Sequence, residues 1–162
     1  MLLAGTIIVL TSAFFVPDSK KELVLNEAIS QFLSFRHYQP LKEDDSFSER
    51  VFNLYIDRLD LNKRYFLQSD FIELSAYKLK LDDQWKSRSL EFFLKSSELI
   101  QKRLLETKAY YTEFLTAPFD LKKNETFETD PEKTKYPKDN TEIRESWRKA
   151  LKFQVMAVLA VK

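Results

Sequence analysis

The chain has 162 residues, with 26 basic and 25 acidic side chains, one Gly and no Cys. That length holds one domain with a real core, for which fourteen Phe, seven Tyr and two Trp supply large side chains. One Gly excludes glycine-rich nucleotide loops, and no Cys excludes disulfides, thiolate nucleophiles and cysteine zinc sites. Interspersed charge leaves no basic stripe for nucleic acid.

Scarce Gly also points to long helices joined by simple loops. The first segment, Leu2 to Val16 (LLAGTIIVLTSAFFV), is uncharged and stops at Pro17-Asp18-Ser19-Lys20-Lys21. Its length suits a signal-peptide core and falls short of the about 20 residues that span a membrane. No Lys or Arg precedes it, and Thr11-Ser12-Ala13 is the cleavage site it offers. We expect residues 1–17 to be an export signal, cleaved or kept as an anchor, and the protein to be periplasmic or otherwise in the cell envelope. The competing reading is a buried N-terminal helix or strand.

A first helix is predicted over Lys21–Arg36, capped by Ser19, with Leu25, Ile29, Phe32 and Leu33 at helical spacing; His37-Tyr38-Gln39-Pro40 stops it. Ser46-Phe47-Ser48-Glu49 fits a capping box opening a second helix, with an apolar stripe of Phe47, Val51, Leu54, Tyr55 and Leu59 up to Asp60. Residues Leu61–Gln68 read as a turn that tucks inward. Asp70 with Glu73 opens a third helix, Phe71–Leu81. After Asp82-Asp83 the longest helix is predicted over Trp85–Leu115, along a seam of Leu90, Phe93, Leu94, Ser97, Ile100, Leu104, Tyr111 and Leu115. Ala117-Pro118 ends it.

Phe119–Asn140, with Pro131 and Pro137, reads as an extended linker with a short strand at Glu125–Glu128. Asp139 with Glu142 caps a last helix, with Ile143, Trp147, Leu151, Val155 and Val158 on one face. From Phe153 to Val161 that helix is apolar nearly all round and demands cover, so the natural protein is expected to continue past Lys162. The fold class is all-α: an irregular bundle of four to five helices, with the Pro-containing linker before the last.

Chemistry is sparse. His37, the single histidine, has no partners at ligand or triad spacing and reads as a loop residue. Asp44-Asp45 and Asp82-Asp83 stand where Asp caps helices and meets the positive end of the dipole. Asn124-Glu125-Thr126 is a sequon of a kind common by chance. Of the pairs Phe92-Phe93 and Tyr110-Tyr111, one member each should pack. No catalytic, cofactor-binding or metal residue is assigned, and no cofactor is expected.

Longer strings are more specific. His37-Tyr38, Asp44-Asp45-Ser46-Phe47-Ser48, Val51-Phe52-Asn53-Leu54-Tyr55-Ile56, Leu59-Asp60 and Lys63-Arg64-Tyr65-Phe66-Leu67-Gln68-Ser69-Asp70 follow in order. Ala117-Pro118-Phe119-Asp120, Glu125-Thr126, Asp130, Lys133, Tyr136-Pro137-Lys138 and Trp147-Arg148-Lys149 continue the series. Together they resemble the N-terminal domain of bacterial tail-specific (carboxyl-terminal processing) serine proteases, departing at Arg36 and Tyr136. The resemblance implies a helical domain at 19–117, a linker at 118–139 and a helix at 140–162 leading toward PDZ and protease domains of the same parent chain. The Ser and Lys of the family's active site have no match in 1–162, so the segment is expected to be inactive alone. It would support the protease and dock protein substrates or a periplasmic adaptor lipoprotein. The alternative is a stand-alone helical envelope interaction protein derived by truncation.

Overall fold

The computed structural model describes residues 19–36 and 42–160. The expected export segment and the His37–Pro40 helix stop therefore lie outside the described residues. Among those described there are six helices and no strand: α1 (Ser19–Arg36), α2 (Asp45–Leu59), α3 (Gln68–Ser75), α4 (Leu81–Ser87), α5 (Glu91–Phe114) and α6 (Asn140–Ala160). The all-α class holds; the helix number exceeds the expected four to five. The expected long helix breaks at Arg88, which takes the left-handed conformation (φ 57°) and turns its N–H back to the carbonyls of Gln84 and Trp85. Neither Gly nor Pro marks this break. It is fixed by Gln84, whose side-chain oxygen accepts from Phe92 N–H (3.0 Å) and whose carbonyl accepts from Ser89 N–H (2.8 Å).

The cap of α2 is Asp44 rather than Ser46: its carboxylate accepts from the N–H groups of Ser46 and Phe47, both at 3.1 Å. Asp44 adopts the extended conformation that a cap requires, whereas Ser46 is already helical. Ser48 serves another helix. It is fully buried, donates to Asp82 Oδ1 (2.6 Å) and accepts from Asp82 N–H (2.8 Å). It thus supplies α4 with the capping oxygen that Lys80, at the cap position, does not provide. The inward face of α2 is Ser48, Phe52 and Ile56, with Tyr55 and Leu59 half-buried; Val51 and Leu54 from the expected stripe face out.

In α3, Asp70 is the third helical residue and reaches back to Leu67 N–H (2.8 Å), the reciprocal role to the one expected. The helix ends at Ser75, whose hydroxyl bonds the Phe71 carbonyl (2.6 Å), and turns replace its expected continuation to Leu81. The 61–68 turn does tuck inward. Asp60 gathers the N–H groups of Arg64, Tyr65 and Phe66 at 2.7–3.1 Å, and Phe66 is 0% exposed.

The core joins Phe52, Ile56, Phe66, Leu74, Phe92 and Leu99, with Tyr55 edge-on to Phe92 at 5.1 Å. The buried face of α5 is Phe92, Ser96, Leu99, Arg103 and Thr107, one residue off the expected seam, so Leu94, Leu104, Tyr111 and Leu115 are exposed. The physical reason is that α5 is apolar on two sides. The small Ser96, bonded to Tyr55 Oη (2.8 Å), and the paired Arg103 select the inner one. On α1, Leu25, Ile29 and Phe32 are likewise exposed, and the helix as described starts at Ser19.

Between α5 and α6 the chain forms an irregular arm, with no strand at Glu125–Glu128. Its second half is tied down. Lys63 Nζ donates to the Pro131 and Thr134 carbonyls (3.0 and 2.7 Å), Gln68 N–H to the Pro137 carbonyl (2.8 Å), and Tyr136 stacks on Phe71 at 4.7 Å. Helix α6 starts as expected: Asp139 accepts from Thr141 and Glu142 N–H, and Glu142 accepts from Lys138 N–H.

Candidate functional site

Besides Asp60 and its backbone partners, three side-chain networks engage buried charges. Arg103, its side chain 7% exposed, grips both oxygens of Asp70 (2.7 and 2.9 Å) and adds Glu106 (2.7 Å) and Asn140 (3.4 Å). This fork fixes α3, α5 and the start of α6 together, and Asp70 holds the guanidinium even more firmly protonated than usual. Glu125 of the arm sits between Arg148 and Lys152 of α6, with Lys123 at 3.1 Å. Hydrogen bonds from Arg148 first, then Lys152, hold the Glu125 carboxyl far below the ordinary glutamate range. Lys152 is itself buried and donates to the Lys123 carbonyl (2.7 Å). The third network is Ser48, Asp82 and Lys86, in which Lys86 Nζ lies 2.8 Å from Asp82 Oδ2.

These arrangements hold structure. Ser48 is wholly enclosed, and its proton goes to a carboxylate that is already ionised by Lys86. A lysine acting as base needs its pKa lowered, whereas Asp82 raises that of Lys86. Among the described residues no group of three or more His, Asp or Glu is placed to hold a metal ion, and His37 lies outside them. Asp44 and Asp82–Asp83 stand at helix starts, Asn124 is exposed, Phe92 is packed deeper than Phe93, and Tyr110 deeper than Tyr111. Asp70–Arg103 and Glu125–Lys152 escaped sequence reasoning because 33 and 27 residues separate the partners. Only the basic pair Arg148 and Lys152, four apart on one helix face, was a visible signal.

What remains available is surface. Phe127 of the arm lies on Phe153 of α6 (5.7 Å), and Trp147 Nε1 donates to the Arg64 carbonyl (2.9 Å). Beyond this contact Phe153, Met156, Val158 and Leu159 are exposed, Val158 by 62%. The opening at the end of α5, lined by Leu115, Phe119 and Val155, extends the apolar region across the same end of the molecule. No helix among the described residues is long and apolar enough to cross a membrane.

Buried ion pairs inside and an apolar patch on the surface characterise this helical domain. The family model described as the tail-specific protease N-terminal domain matches residues 29–162. The chain is 34% identical over 125 residues to the tail-specific protease of Haemophilus influenzae; the match covers 76% of this chain and 18% of that protein. This chain belongs to the tail-specific protease N-terminal domain family.

Proposed function

We propose that the chain is the noncatalytic helical part of an exported carboxyl-terminal processing serine protease, giving the parent enzyme its shape and docking substrates or an adaptor. The observation that carries this reading is the contrast between bonded charges beside the core and an exposed apolar helix end. Asp60, Asp70, Asp82, Arg103 and Lys152 are buried and bonded, while the apolar side chains Phe153, Met156, Val158 and Leu159 stand exposed. Buried, paired charges are spent on geometry, and an exposed apolar stretch awaits cover. PDZ and protease domains of the same parent chain are its natural cover, and a periplasmic adaptor lipoprotein fits the docking role. The apolar Leu2–Val16 run supports export, which an alkaline phosphatase fusion to residues 1–36 tests: activity is expected outside the cytoplasm only.

The purified chain should release no product from a peptide with an apolar C-terminus. Turnover surviving repurification would overturn the noncatalytic assignment. The exposed end of α6 also suits a stand-alone interaction protein. Sequencing the native locus beyond Lys162 separates the two: an open frame into a Ser/Lys protease domain supports the first, a stop codon the second.

A further inference from the structure

Glu128, Glu142 and Glu145 line one end of the seam between the arm and α6, whereas the other end carries unbalanced charge. A groove of about 460 Å³ runs there, with Lys122, Lys123, Lys149 and Lys152 against a single lining carboxylate, Glu125. Glu125 is already engaged by Arg148, Lys152 and Lys123. Glu145, which feels the charge of Lys149, is itself bonded twice by Arg148 (2.8 and 2.6 Å). Lys122 and Lys149 form no ion pair with any described residue. Phe127, Phe153 and Met156 give the same groove an apolar wall. The backbone of Thr126 and Phe127 makes no hydrogen bond to any described residue, so a chain laid alongside finds free donors and acceptors.

We infer that this groove binds an acidic, apolar peptide segment of a partner protein. Its carboxylates pair with Lys122 and Lys149, and its apolar side chains pack on Phe153 and Met156. The inference deepens the docking role proposed above and rests on it, but peptide binding reads the groove alone, whereas the locus and turnover experiments read the role. The probe is a fluorescein-labelled peptide of alternating Glu and Leu, titrated with the 162-residue chain and followed by anisotropy; a Lys/Leu peptide is the control. Saturable binding of the acidic peptide is expected, weakening as salt rises, with no saturation by the control. K122E/K149E should weaken it by about tenfold or more, since like charge now faces the ligand. If that variant melts differently from the parent, K122E/M156S takes its place. Equal binding of the two peptides, no binding, or an unchanged affinity in the variants overturns the assignment. So does displacement of the peptide by phosphatidylglycerol vesicles, which would give the groove to a membrane surface.

Discussion

Arg103 and Asp70 are worth more as a pair than either is alone. Removing one partner leaves a buried charge without compensation, so Arg103→Met should cost about 3 kcal/mol in urea unfolding. Asp70→Leu should cost about 1 kcal/mol more, because Asp70 also bonds the Leu67 N–H at the start of α3. The double substitution should be milder than the sum of the singles; strict additivity would show that the fork is not a coupled unit. Glu125 makes a pH-dependent contribution. Its carboxyl titrates well below its ordinary value of 4.5, so the stability it brings is complete above that pH and is lost as acid is added below it. The gap in urea midpoint between the parent chain and Glu125→Gln should thus be flat down to about pH 5 and close progressively in stronger acid. A gap that widened in acid would reverse the sign argued here. None of these pairings was legible in the sequence: the basic pair Arg148 and Lys152 could be seen, but the carboxylate it meets, Glu125, leaves no local pattern.

Helices themselves were legible where local chemistry decides them. Asp139 and Glu142 announce α6, and Asp60 before Leu61 marks the end of α2. Faces were less so. Helices α2 and α5 each carry apolar residues around more than half of their circumference, and the buried side was settled by Ser48 and Ser96, small polar residues that let neighbours approach. The break at Arg88 was invisible because it opposes local preference: a left-handed non-Gly residue costs about 1–2 kcal/mol. Arg88→Gly should therefore stabilise the chain by about 0.5–1 kcal/mol in spite of losing the exposed contact to Glu27. Arg88→Val should destabilise it, and a melting temperature that falls for both would mean that the Glu27 pair outweighs the backbone strain. The absent strand at Glu125–Glu128 has a similar lesson: alternation suits a strand, but among the described residues no second strand is there to pair with it.

At the scale of the whole molecule, the all-α class followed from composition, and the resemblance carried the family. The arm's attachment followed from neither. The ties of the arm and α6 to the 61–68 turn are long-range: Lys63 reaches Thr134 across 71 residues, and Trp147 reaches Arg64 across 83. By contrast, the polar contacts that join α2 to α4 and α5, and α3 to α5, span 33 to 41. Loop-closure entropy rises with separation, so the nearer contacts, Glu125–Lys152 across 27 among them, form at smaller cost, and docking of the arm and α6 onto the 61–68 turn should come last. Trp147→Phe, which removes the bond to Arg64, should then speed unfolding several-fold while leaving the refolding rate unchanged in stopped-flow experiments. Slower refolding would place that bond in the folding nucleus instead. The order has a biosynthetic counterpart: a chain emerging from the ribosome exposes α2 to α5 first, so the helices that the arm must clasp can be waiting when it arrives.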